Sequence, residues 1–530
     1  MKTLRSILVS SSLVLVACGG QLTQDHEYRD GYPIKRDPTS EVKKAEPPPL
    51  EIDLGPKPEP GPAKPFAPPV VDTFQTKNGL KVWLASRRGL PLVSTALVLV
   101  GGSSADPTDK PGLMHIMTDM LDEGAGKRSA IEISGAMSDL GSAIGLRTGI
   151  DASTVSMTVL KKNFGAAFSI FADVVTRPQF DAKEFKRVSD LWRNDLKARP
   201  DEPSRVAQVV NAAVLYGPGT PYGHPSDGFF DTAEKIELDA VKKFYAENVR
   251  PDKAVLVVAG DITREELTAA IDANLGTWKA PGGAKKPGKP TIHEPLPAAK
   301  RPKIVLVDRP KAPQSVIAVI RDGVMASEPD AIRIDLVNTP LGGSFTSRLN
   351  QNLREEKHWA YGARSMFFGT RGKGAFWAMA SVETAATGPA LSETLKELDK
   401  IAKEGITADE LEKAKAQDRA DLVQTFETIS ATAGRLADLA RLGLPPTYDA
   451  DASLSRQSQT LADVTALAKT HLDSSTATIV VVGPKDAVWK DLVGLGRGEP
   501  VMWDPEGRPV VAGAEVKKDE KKDAPKPKGK

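Results

Sequence analysis

Lys81-Val82-Trp83-Leu84-Ala85-Ser86-Arg87 returns about 222 residues further on as Lys303-Ile304-Val305-Leu306-Val307-Asp308-Arg309. Near the end of each half a second pair repeats at about the same offset, Val255-Leu256-Val257-Val258-Ala259-Gly260 and Ile479-Val480-Val481-Val482-Gly483. Each is preceded by a helical stretch, 238–247 and 461–471. One long offset marks a duplicated domain, because solenoid repeats recur every 20–50 residues or so. Inside each half, short β-rich runs (92–100, 153–160, 317–321, 375–382) precede long helical stretches (164–175, 182–197, 408–425). Strands alternating apolar and polar residues, with helices in separate blocks, indicate an α+β fold and not a doubly wound sheet. The expectation is two homologous domains, 70–278 and 301–505, each a mainly antiparallel sheet packed with helices. Lys279-Ala280-Pro281-Gly282-Gly283-Ala284-Lys285-Lys286-Pro287 opens an exposed linker over 279–300.

Composition narrows the function classes. The 530 residues exceed one compact domain at roughly 100–200 residues each, and 40% hydrophobic content supports two real cores. Lys+Arg number 71 against 69 Asp+Glu, a balance that excludes the strongly basic domain of a nucleic-acid binder. Cys18 is the only cysteine, so neither a disulfide framework nor a cysteine zinc site is available. A metal would need histidines and carboxylates, and the histidines are His26, His115, His224, His293, His358 and His471.

The chain opens with Lys2 and Arg5, an apolar and hydroxylic run over 6–16, and Leu15-Val16-Ala17-Cys18. This resembles a bacterial lipobox, which implies a signal peptide at 1–17, lipidation of Cys18 and a membrane anchor. Gly19, rather than aspartate, follows the cysteine, which implies an outer-membrane lipoprotein of the bacterial envelope facing the periplasm. Residues 18–69, dense in proline as in Glu46-Pro47-Pro48-Pro49, read as a disordered, extended tether. The stretch 506–530 reads as a disordered charged tail.

Pro111 to Gly124 is expected to form one helix with Gly124 as its stop. It resembles the catalytic helix of the pitrilysin/insulinase family of zinc peptidases, whose motif is H-x-x-E-H. In that family two histidines bind zinc and the glutamate activates a water. Here the frame reads His115-Ile116-Met117-Thr118-Asp119, so Thr118 replaces the general base and Asp119 the second histidine. A third ligand, a glutamate, follows roughly 75 residues later in the family, a count that reaches Trp192-Arg193-Asn194-Asp195-Leu196. Asn194 or Asp195 takes its place. The degenerate positions are therefore His115, Asp119, Asn194 and Asp195. They read as a relic on a simple helix, with a His115/Asp119/Asp195 cation cluster as the alternative.

The second half carries a stronger match. Residues 341–362, Leu341-Gly342-Gly343-Ser344-Phe345 through Arg354 to Tyr361-Gly362, resemble the family's C-terminal-domain signature. The resemblance implies that Arg354 and Tyr361 bind substrate, reaching toward an active site; an arginine fork holds a carbonyl and a phenol donates to an oxyanion. Without the family, Arg354 would pair with Glu355 or Glu356 and Tyr361 would be a core aromatic at a strand start. Further agreement comes from Leu140-Gly141-Ser142-Ala143-Ile144-Gly145-Leu146-Arg147-Thr148, where family members add an extended substrate to a strand edge. His224 and His358 match no ligand position and read as loop or surface residues.

The resemblance spans about residues 70–505. It implies a catalytically deficient subunit that binds peptide or unfolded protein and pairs with a homologous catalytic chain carrying H-x-x-E-H. That reading places no cofactor in this chain and zinc in the partner. Two alternatives stay open: a metallopeptidase active alone through an altered His/Asp site, and a lipid-anchored structural or peptide-binding scaffold.

Overall fold

The computed structural model describes residues 67–280 and 291–510, Gly55, and the backbone of two short strands, Tyr28–Arg29 and Tyr32–Pro33, which pair antiparallel. The expected leader, Cys18, most of the tether, the middle of the linker and the tail beyond residue 510 lie outside the described residues.

The first half supplies β1 (Asp72–Gln75), β2 (Lys81–Ser86), β3 (Leu92–Val100), β4 (Gly145–Thr148), β5 (Ala152–Leu160) and β6 (Ala254–Gly260). The second supplies β7 (Ile304–Asp308), β8 (Gln314–Asp322), β9 (Ala360–Phe368), β10 (Ala375–Glu383), β11 (Thr478–Gly483) and β12 (Val501–Trp503). They form two six-stranded sheets, ordered β1-β2-β6-β3-β5-β4 and β9-β10-β8-β11-β7-β12. Five strands correspond one to one. In each sheet the two repeated apolar segments lie side by side in parallel, Val82 opposite Leu256 and Val305 opposite Val480. The other pairings among these five are antiparallel. The repeat in sequence is thus a repeat in topology, and the α+β reading with two homologous domains holds.

The central strands β6 and β11 are buried along their whole length. Such uninterrupted apolar runs require cover on both sheet faces. On one face of the first sheet, Leu256 and Val258 join the core built by that half's own helices. On the other face, Val255 and Val257 pack with Ile429, Ala433, Leu436 and Leu439. Those four belong to a helix of the second half (Ile429–Leu442). The return exchange occurs on the second sheet, where Val305, Val316 and Val480 pack with Val206, Val210 and Val214 from a helix of the first half (Pro203–Tyr216). Each half therefore finishes the other's sheet.

Residues 506–510 depart from the expected tail. Asp504 Oδ1 accepts from the Glu506 and Arg508 N–H groups at 2.9 Å each, closing a turn. Arg508 then reaches Asp231 at 3.0 Å, fastening this end of the second half to the first. Removing a buried leucine side chain costs about 2–5 kcal/mol. Leu439→Ala is accordingly expected to lower stability by that amount, with tryptophan fluorescence and far-UV circular dichroism following one shared urea transition. Two separated transitions would contradict the mutual completion of the sheets.

Candidate functional site

The helix carrying His115 is α1 (Leu113–Asp119). Its start is fixed by close approach: Gly112 has φ +94°, and a Cβ there would stand 2.7 Å from Cζ2 of Trp192. Only glycine tolerates both conditions. The buried Asp106 carboxylate accepts from the Gly112 and Met114 N–H groups, at 2.8 and 2.7 Å, and satisfies donors that the helix start leaves open. Burial pushes its pKa up to about 7, against the pull of those two donors.

This helix is shorter than the expected span 111–124. Leu121 N–H donates to Thr118 O at 3.1 Å, tightening the last turn, and the chain leaves the helix before Gly124, which adopts φ +113°. The departure draws Met120 and Leu121 into the core and brings Glu123 to Arg187.

Five of the seven residues of α1 are buried, and the remaining two are His115 and Asp119. His115 Nε2 lies 3.4 Å from Asp119 Oδ2, and its ring sits 5.7 Å from that of Trp192, tilted by 58°. Trp192, on α2 (Ala182–Ala198), is held by its indole N–H donating to Asp227 O at 2.9 Å. Burial raises the Asp119 carboxyl above its ordinary range, His115 opposes this and Glu123 adds to it. Burial first, then Glu123, pushes Asp122 up to about 6.

Two of the three replaced zinc-site positions have other occupations. Thr118 is fully buried; its hydroxyl donates to Met114 O at 2.8 Å and lies 3.1 Å from Ser153 Oγ on β5, so it faces the sheet. Asn194 is exposed. Asp195 is gripped at both oxygens by Arg205, at 3.3 and 2.8 Å, and this contact lowers its pKa. Arg205 belongs to α3 (Pro203–Tyr216), the helix whose apolar face covers the second sheet, and it also reaches Glu202 and Asp227 at 3.1 and 3.2 Å. Among the described residues no three His, Cys, Asp or Glu side chains converge to hold a metal. The donor set does not fit the family's zinc: one ligand is bound by a guanidinium, and the base position points into the core.

Around His115 lies a cavity of about 490 Å³, whose wall includes Asp119, Leu146, Arg147, Thr148 and Arg205. Leu146 to Thr148 belong to β4, the last strand of its sheet, which pairs with β5 alone. The open strand edge thus borders the cavity. The strand was singled out in the sequence by family resemblance; the ion pairs of Arg205 were not, because Asp195 and Arg205 lie ten residues apart on different helices, a spacing without a periodic signature.

Arg354 and Tyr361 stand apart from this cavity, on the second half. Arg354 lies in a π-helical turn, Gln351–Glu356, of a kind often found at functional sites. Its Cζ sits 4.6 Å above the Phe345 ring and 5.3 Å from the Tyr361 ring, while Nε pairs with Glu355 at 3.1 Å. The reading of Tyr361 as a core aromatic is overturned: it is 89% exposed. Between Ala360 and Ala363 the register of β9 on β10 shifts by one residue, a bulge that holds Tyr361 and Gly362. Bulges re-aim side chains, which accounts for its outward direction. Phe345, 65% exposed, completes a cluster that sequence reasoning did not assign. His358 is exposed beside it, its Nδ1 3.0 Å from Arg354 O. His224 lies in a loop but is buried, and burial lowers its pKa.

Residues 81–217 match the insulinase (peptidase family M16) domain, and residues 235–417 match the peptidase M16 inactive domain. The chain belongs to the insulinase family. An uncharacterised zinc protease of Bacillus subtilis, YmxG, is 23% identical over 69% of this chain and 87% of its own. A Helicobacter pylori protein described as a non-peptidase homologue, also YmxG, is 22% identical over 75% of this chain and 90% of its own. Among solved structures, a peptidase M16 inactive domain from Pseudomonas fluorescens superposes with TM-score 0.71 at 25% identity, covering 78% of this chain and 98% of that one. The family likeness agrees with a protease homologue whose H-x-x-E-H frame is degenerate.

The Arg205 grip generates a prediction. Asp119→His restores the histidine pair of this insulinase-family helix but leaves Asp195 occupied, so metal analysis is expected to find no stoichiometric zinc. Asp119→His combined with Arg205→Ala frees that carboxylate and is expected to bring zinc toward one per chain. Zinc in the single variant would show that the guanidinium is no obstacle.

Proposed function

We propose that this chain is the non-catalytic subunit of a two-chain peptidase: it binds extended peptide and pairs with a zinc-bearing H-x-x-E-H chain. The observation that carries the reading is the pairing of Arg205 with Asp195 while Thr118 is buried against Ser153. Chemistry on a peptide bond needs a base that takes and returns a proton near neutral pH, and a threonine hydroxyl is no such base. The zinc and the base then come from the partner.

Two features support a contribution to the partner's site. Phe345 and Tyr361 are exposed and Arg354 is half-buried, and the cluster lies away from this chain's own His115 cavity. Stacking on two rings orients the arginine fork while leaving donors for a substrate carbonyl. The free edge of β4 offers main-chain pairing that needs no metal. The Helicobacter pylori non-peptidase homologue is consistent with loss of catalysis in a relative of this kind. The proposal includes anchorage through lipid on Cys18 in the outer membrane, with the body facing the periplasm.

The test is detergent extraction and co-purification of the full chain, tagged at its C-terminus, from the native envelope, with metal analysis and peptidase assay. The expected result is a second chain carrying about one zinc, with activity in the complex only. Stoichiometric zinc and chelator-sensitive activity in this chain alone would overturn the reading. In the complex, Arg354→Ala and Tyr361→Phe are expected to reduce kcat/KM by about ten- to a hundredfold, or about 1–3 kcal/mol of transition-state binding. His115→Ala is expected to leave it within a factor of about two.

A further inference from the structure

Three arginines line the His115 cavity, and they differ in what holds them. The Arg199 side chain, only 2% exposed, is bound by Asp227 at 3.0 Å, Glu506 at 3.3 Å and Gly228 O at 2.8 Å. Arg205 is bound by Asp195, Glu202 and Asp227. Arg147 is exposed, and among the described residues its side chain has no hydrogen bond or ion pair. The wall's two carboxylates are already engaged, Asp227 between Arg199 and Arg205, and Asp119 beside His115. One positive fork is therefore left over, and it stands on the strand whose outer edge is open.

We infer that Arg147 makes this cavity selective for peptides that place a carboxylate across from it when they add to β4. The inference rests on the proposed peptide binding at that edge and names the class of peptide it takes. An added strand sets one of its residues directly opposite Arg147, and opposite charges in such cross-strand positions attract while like charges repel. A guanidinium fork binds carboxylate at two points, which gives direction as well as charge. Leu146 and Thr148, the flanking wall residues, offer no charge to a neighbour of that carboxylate. A lysine or arginine at the same place meets the one guanidinium of the wall that no carboxylate offsets, and is repelled. The carboxylate has two sources: an aspartate or glutamate side chain, or the end of the chain.

The test uses residues 19–530 and fluorescein-labelled peptides of one sequence, bearing Glu, Gln or Lys at a central position, each with a free or an amidated C-terminus. Fluorescence polarisation is expected to show the Glu peptide binding roughly tenfold tighter than its Gln counterpart, with the margin shrinking as salt rises. Tight binding of amidated Glu peptide identifies the side chain as the source; tight binding of Gln peptide only with its free end identifies the terminus. Arg147→Gln is expected to bring the ratio between carboxylate and neutral peptides close to one, and Arg147→Glu to turn the preference toward Lys. An unchanged ratio in Arg147→Gln, with peptides still bound, would overturn the inference and leave peptide binding intact. Failure of every peptide to bind would overturn both.

Discussion

A strand that is apolar on both sides has to be covered twice. β6 and β11 impose that condition on their sheets, and each half meets it with one helix from the other. The arrangement of the degenerate site follows from this exchange. Asp195 is carried by α2, which packs in the first half, whereas Arg205 is carried by α3, whose apolar face is committed to the second sheet. The guanidinium stands where it does because valines on the opposite side of its helix are buried in the other domain. Packing far from the cavity thus sets the charge inside it.

The chemical result is a substitution of one kind of cation for another. A metal accepts lone pairs from several ligands and polarises what it binds. An arginine gives hydrogen bonds in a plane and has no open coordination position. It can hold Asp195 in place and keep the wall near neutrality, and it leaves the two helices joined as a ligand set would. The His115 ring, packed beside Trp192 and facing Asp119, persists in a frame held by Gly112 and Asp106.

The duplication and the α+β class were readable because Lys81–Arg87 and Lys303–Arg309 are apolar at matching positions and become equivalent strands. The uninterrupted runs at 255–259 and 479–482 receive cover on both faces. They could not say which helices supply it, since Val206, Val210 and Val214 form the same apolar stripe whichever sheet they meet. The full length of the His115 helix was overestimated because the apolar residues continue past Asp119 while the helix does not. The metal positions were legible as substitutions, His115 and Asp119 in frame, but the fate of Asp195 depended on a contact between helices. Tyr361, expected from the family resemblance to reach substrate, would have read as a core aromatic from its own strand, because a bulge is a mismatch between two strands and one strand's sequence does not display it.

Two of the four sheet edges, β4 and β9, occupy the same place in the duplicated topology. An unpaired edge invites another strand of any origin, including one from a second copy of the same chain. β4 is only four residues long and carries a charge at Arg147. β9 is nine residues long, but its bulge breaks the ladder near the start, where Asn350 Oδ1 takes the Ala363 N–H at 3.1 Å, and Arg364 follows as an exposed charge. Shortness protects one edge from fibril-like growth and irregularity protects the other. An edge can thus stay available to a single extended segment without becoming a template for self-association.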